Sequence, residues 1–86
     1  MSRLKLEIVT PENPVVSEEV DEVAIPGIEG EFGVLPGHTT FLTRLGEGPL
    51  TYRQGSQPAT LRIAGGCCEV REDRVTVLAD RAQNQA

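Results

Sequence analysis

Residues 26–37 read Pro-Gly-Ile-Glu-Gly-Glu-Phe-Gly-Val-Leu-Pro-Gly. Four glycines and two prolines in these twelve residues forbid a helix, because glycine gives up too much backbone freedom in one and proline lacks the N–H and clashes with the turn before it. What is left is a short apolar strand, Phe32 to Leu35, between two tight turns that each carry Pro-Gly. The centre of the chain is therefore β-structure.

The flanks agree. Leu4-Lys5-Leu6-Glu7-Ile8 alternates strictly, which predicts a half-buried strand with the apolar side chains on one face. From Val15 to Ile25 two readings compete. Val16, Val20 and Val23 have helical spacing behind Ser17 as a cap. The four valines and one isoleucine in those eleven residues favour strand instead, and the step from Val20 to Val23 breaks the period of two. Two short strands with a bend between them are expected. Phe41 to Leu45 follows as a strand closed by Gly46 and Gly48. Leu50 and Tyr52 share a face, Gly55 to Pro58 turns, and Thr60 to Ile63 alternates again. Gly65-Gly66 marks a bend or a close approach of two backbones. Cys68 and Val70 share a face, Glu72-Asp73 is a turn, and Val75, Val77 and Ala79 share the last face. Strands every eight to twelve residues with turns between them indicate an all-β sandwich, and no gap could hold the crossover helix of an α/β sheet.

The chain has 86 residues, enough for one domain. We place the sandwich at 1–81 and a frayed tail at 82–86, where no apolar face remains. With nine valines, four isoleucines and eight leucines against three aromatics, the core is aliphatic. Thirteen acidic against eight basic residues leave a net charge of −5, the wrong sign for neutralising nucleic-acid phosphates or anionic lipid. No apolar run is long enough to cross a membrane, and the start Met-Ser-Arg-Leu-Lys-Leu-Glu has no secretory core, so a cytosolic setting is expected.

The chemical inventory is thin. Cys67 and Cys68 are adjacent, so on a strand they face opposite ways: one thiol inside, one outside, and no bridge. With one histidine, His38, they fall short of a zinc site, and no metal or cofactor is expected. Gly27, Gly30 and Gly33 form neither a dinucleotide fingerprint nor a phosphate loop. Glu29 and Glu31 near His38 suit solvated loop residues better than an acid–base pair, so catalysis is not expected. What the residues offer is a rigid, turn-rich surface for binding another protein.

Residues 26–45 closely resemble the signature loop of the epsilon subunit of the F-type ATP synthase, through Gly27, Gly30, Glu31, Phe32, Gly33, Val34, Pro36, Gly37 and His38. Leu6 to Pro11, and Gly65-Gly66 with Glu69-Val70 and Val75 to Asp80, resemble two further blocks of the same family in the same order. Thr39-Thr40 departs from the family's more usual Ala-Pro. The resemblance implies two antiparallel sheets packed face to face. It also implies a non-catalytic rotor subunit that joins gamma to the membrane c-ring and couples proton flow to ATP synthesis. That role lies at the cytoplasmic face of a bacterial membrane, peripheral through the complex. By the same resemblance Glu29, Gly30 and Glu31 face the c-ring, while Thr10, His38 and Thr43 face gamma. The family's C-terminal helical arm, which inhibits hydrolysis, has no counterpart after Asp80 and is not expected to act here. The alternative is a free-standing β-sandwich module that binds a metabolite or another protein.

Overall fold

The computed structural model describes residues 3–37 and 40–84, and every regular element among them is a strand. In chain order these are β1 Leu4–Val9, β2 Pro14–Val20, β3 Glu22–Gly27, β4 Gly30–Val34, β5 Phe41–Arg44, β6 Glu47–Gln54, β7 Gln57–Arg71 and β8 Arg74–Asn84. The all-β expectation holds. The contested stretch Val15 to Ile25 is two strands, with Asp21 at the break where the period of two fails.

Hydrogen bonding links the strands in the order β2-β1-β8-β7-β6-β3-β4, with β5 on the far half of β7. One hydrogen-bonded sheet becomes two layers because β7 and β8 are long and bend. Residues 57–64 of β7 pair with β6, and residues 67–70 pair with β5. The bend falls at Gly65 and Gly66, whose φ angles of 71° and 109° lie where side chains rarely go. The ladder is interrupted there at Gly65 and Asp80 with its register unchanged, running Ala64↔Arg81 and then Gly66↔Ala79. A glycine bend of this kind turns a strand pair through a corner. A side chain at Gly66 would overlap the Leu78 carbonyl, so the tight approach requires glycine.

Between the layers lies one aliphatic core. β1 supplies Leu4, Leu6 and Ile8, β3 supplies Val23 and Ile25, β7 supplies Leu61, Ile63, Cys68 and Val70, and β8 supplies Val75 and Val77. No charged or polar side chain is buried with them among the described residues.

Several details differ from the sequence reading. Among the described residues all strand pairings are antiparallel except one: β1 runs parallel to β8, Lys5↔Arg74 through Val9↔Leu78. A parallel pair needs a long connection, and here the rest of the domain is that connection. Pro26 and Gly27 finish β3, so the turn before β4 falls at Ile28-Glu29. Gly48 does not close a turn but sits buried within β6 against Pro26. The frayed tail from 82 is also displaced: β8 continues through Ala82 and Gln83 to Asn84, paired with Ile63, Arg62 and Leu61. Its backbone is held by the neighbouring strand, and Ala82 packs half-buried against the core. Residues 85 and 86 lie outside the described residues.

Candidate binding surface

The turn between β3 and β4 is fixed from both sides. The Ile28 N–H donates to the Arg44 carbonyl at 3.0 Å, and the Gly46 N–H donates to the Pro26 carbonyl at 3.0 Å. Gly27 and Leu45 form an isolated bridge between the same segments. Gly30 closes the turn at φ 130°, a backbone conformation that glycine adopts without strain. Glu29, Gly30 and Glu31 are thus exposed on a backbone with little freedom to move.

Phe32 turns inward from β4 and meets Phe41 of β5 edge-on, ring centres 5.3 Å apart at 74°. This contact holds the two strands as the walls of an open groove of about 680 Å³, lined among others by Ile28, Glu31, Leu42, Thr43 and Cys67. Ile28 is 57% and Leu42 71% exposed, so the rim is apolar and wet. Glu29 and Glu31 on one side and Arg44 on the other take no part in an ion pair among the described residues. Arg3, Arg53, Arg62, Arg71 and Arg74, by contrast, each pair with a carboxylate. The groove can bind and orient a partner.

The structure regroups the residues singled out from the sequence. Thr43 lines the same groove as Glu29, Gly30 and Glu31. Thr10 lies elsewhere, in a shallow depression with Asp80 and Arg81. Its N–H and hydroxyl both donate to the Asn13 carbonyl, at 3.0 and 3.1 Å, and so close the β1–β2 turn. His38 lies outside the described residues. Cys68 is buried and Cys67 half-buried, as alternation requires, and burial pushes the Cys68 thiol up to about 12.

One contact was invisible in the sequence. The Gly37 N–H donates to the Asp73 carboxylate at 2.7 Å, across 36 residues, while the Asp73 carbonyl accepts from the Lys5 N–H at 2.9 Å. Asp73 sits at φ 61° in the β7–β8 turn, a conformation aspartate tolerates better than most residues. It ties the segment after β4 to the opposite layer. Only its place in a turn could have been read in advance.

Residues 3–85 match the family model described as the ATP synthase delta/epsilon chain β-sandwich domain. Among relatives, an ATP synthase epsilon chain of Syntrophotalea carbinolica is 55% identical over 83 residues, covering 96% of this chain and 60% of its own length. One from Dehalococcoides mccartyi is 52% identical, with 96% and 59% covered. The chain thus spans about 60% of the length of the curated relatives it matches. Among solved structures, a chain in the Euglena gracilis mitochondrial ATP synthase OSCP/F1/c-ring assembly superposes with a TM-score of 0.91. It is 25% identical, with 98% of this chain and 54% of that one covered. A chain of the Tetrahymena thermophila mitochondrial ATP synthase central stalk and c-ring shares the fold at 13% identity and a TM-score of 0.81, with 96% and 67% covered.

Proposed function

The chain belongs to the ATP synthase delta/epsilon β-sandwich family, and from that premise we propose that it serves as the sandwich part of a non-catalytic central-stalk subunit in an F-type ATP synthase. In this reading it joins the gamma subunit to the c-ring at the cytoplasmic face of a bacterial membrane. It lets proton flow through the ring drive ATP synthesis. The family match over nearly the whole chain carries the reading. The geometry supports it, because the densest part of the motif forms an exposed turn whose backbone is pinned to Arg44 and Gly46. A rotor coupling must transmit torque, and a pinned turn does so better than a loose one.

Glu29, Gly30 and Glu31 face the c-ring in this proposal, and Thr10, His38 and Thr43 face gamma. Glu31 is exposed and unpaired, so its carboxylate is available to a basic group across the junction. An exposed pair of that kind contributes about 0.2–1 kcal/mol, so Glu31→Gln should be mild. Glu31→Lys places like charges in contact, which can cost several kcal/mol. The test is co-purification with gamma and c-ring, with ATP synthesis measured for the parent and both variants. The expected order of association and coupling is parent, then Gln, then Lys. A chain that never co-purifies with gamma would sink the rotor reading. A Lys variant that couples like the parent at low salt would sink the Glu31 contact alone.

A further inference from the structure

We propose that the free edge of β4 is a docking site for an extended, basic segment of another protein, which adds to the sheet as a further antiparallel strand. The argument starts from Pro26. It has no N–H, and its carbonyl accepts from Gly46, so its backbone groups point away from β4. Glu31, opposite Pro26 in the register, therefore also points its N–H and C=O away from β3. By the period of two the same holds for Gly33, while Gly30, Phe32 and Val34 make the ladder. Two residues thus present two donors and two acceptors in a row, on the last strand of the sheet.

The other edges are partly occupied. β2 begins with Pro14, and its Glu19 carbonyl is already taken by the Arg3 guanidinium at 3.0 Å and the Gln54 amide at 3.1 Å. The free side of β5 is met by Ile28, whose N–H donates to the Arg44 carbonyl. β4 has no proline, and the space over Gly33 is open: a Cβ built there meets nothing within 4 Å. Unprotected edges invite strand addition.

The side chains define the partner. Glu31, Gly33 and, just past the strand, Leu35 alternate onto one exposed face, as an acid, a gap and an apolar group 57% exposed. An incoming antiparallel strand would match them with an apolar residue opposite Leu35, a large one over Gly33 and a lysine or arginine opposite Glu31. A second copy of this chain fits poorly. Using all four free groups in a self-pair sets Glu31 of each copy opposite Gly33 of the other. That register leaves the two carboxylates on one face about 7–8 Å apart. The chain's net charge of −5 opposes it further. The proposal does not depend on the rotor assignment.

The probe is the acetylated peptide amide Val-Thr-Tyr-Thr-Lys, titrated into the protein while backbone amide exchange is followed by NMR. Saturating peptide should slow exchange at Glu31 and Gly33 at least ten-fold and leave Phe32, already bonded, unchanged. Gly33→Pro removes the outward N–H, which makes no ladder bond to β3, and its fold is verified by circular dichroism before binding is read. The folded proline variant should lose at least ten-fold in affinity, while Gly33→Ala binds like the parent. Glu31→Lys should lose at least ten-fold with the lysine peptide and recover with the peptide ending in glutamate. No protection at Glu31 and Gly33, equal binding by the proline variant, or no recovery in the charge swap each overturns the proposal.

Discussion

Asp21 shows how much of a residue's behaviour escapes the sequence. It lies at the break between β2 and β3, where its carboxylate accepts from the Gly55 N–H at 2.6 Å and sits 3.3 Å from the Arg3 guanidinium. The Gly55 bond holds its carboxyl below the ordinary value; partial burial works against it, and the charges of Arg3 and Arg53 add to it. A group held low in the folded state stabilises the fold above its unfolded value and loses that contribution as pH falls through the folded value. Asp21→Asn should therefore lower the unfolding midpoint at pH 7, and the gap to the parent should close in acid below about pH 4. A pH-independent gap in thermal melts would mean that the bond's geometry, not its charge, matters. The cysteines were legible, since Cys68 shares parity with Val70. With Cys68 fully buried and its thiol pushed up to about 12, iodoacetamide at neutral pH should label one thiol per native chain and two after unfolding. Rapid double labelling of folded protein would contradict that. Asp21 with Gly55, like Asp73 with Gly37, could not be read beforehand, because each joins residues that only the finished register brings together.

At the scale of elements, alternation was enough wherever a strand has one buried face. β1 reads out directly, and the two-strand solution for residues 14–27 followed from a single break in period. Alternation failed where pairing comes from a neighbour, as at residues 82–84, held by β7. The Gly65-Gly66 pair was legible as a bend, but not as the corner through which both long strands pass between layers. Gly66→Ala tests that corner. A φ of 109° alone costs a side chain about 1–3 kcal/mol, and the overlap with the Leu78 carbonyl adds to it. Denaturant unfolding should show a loss of at least about 2 kcal/mol, whereas Gly33→Ala, in open space, should be within about 0.5 kcal/mol of the parent. Near-equal losses would show that the bend can shift to accept a side chain.

For the whole molecule the feature that alternation could not supply is the parallel seam between β1 and β8. It joins Lys5 to Arg74 and Val9 to Leu78, so almost the entire chain must be threaded before it forms. Closing so long a loop costs entropy that is recovered only when the contacts are made, and folds dominated by such contacts fold slowly. The β7–β8 hairpin has the opposite character: Arg71↔Arg74 and Val70↔Val75 meet across the two-residue turn at Glu72 and Asp73, both at positive φ. Local pairing forms early at little entropic cost. The two halves of the core should therefore separate kinetically. Val70→Ala in the hairpin and Ile8→Ala in the seam both remove fully buried side chains, so each should destabilise the domain, by about 1–5 kcal/mol. In stopped-flow chevrons Val70→Ala should mainly slow folding, because its contacts exist in the transition state. Ile8→Ala should mainly speed unfolding, because β1 docks afterwards. If Ile8→Ala slows folding as much as Val70→Ala does, the seam belongs to the folding nucleus. The two layers would then assemble together rather than by late docking of the N-terminal strand.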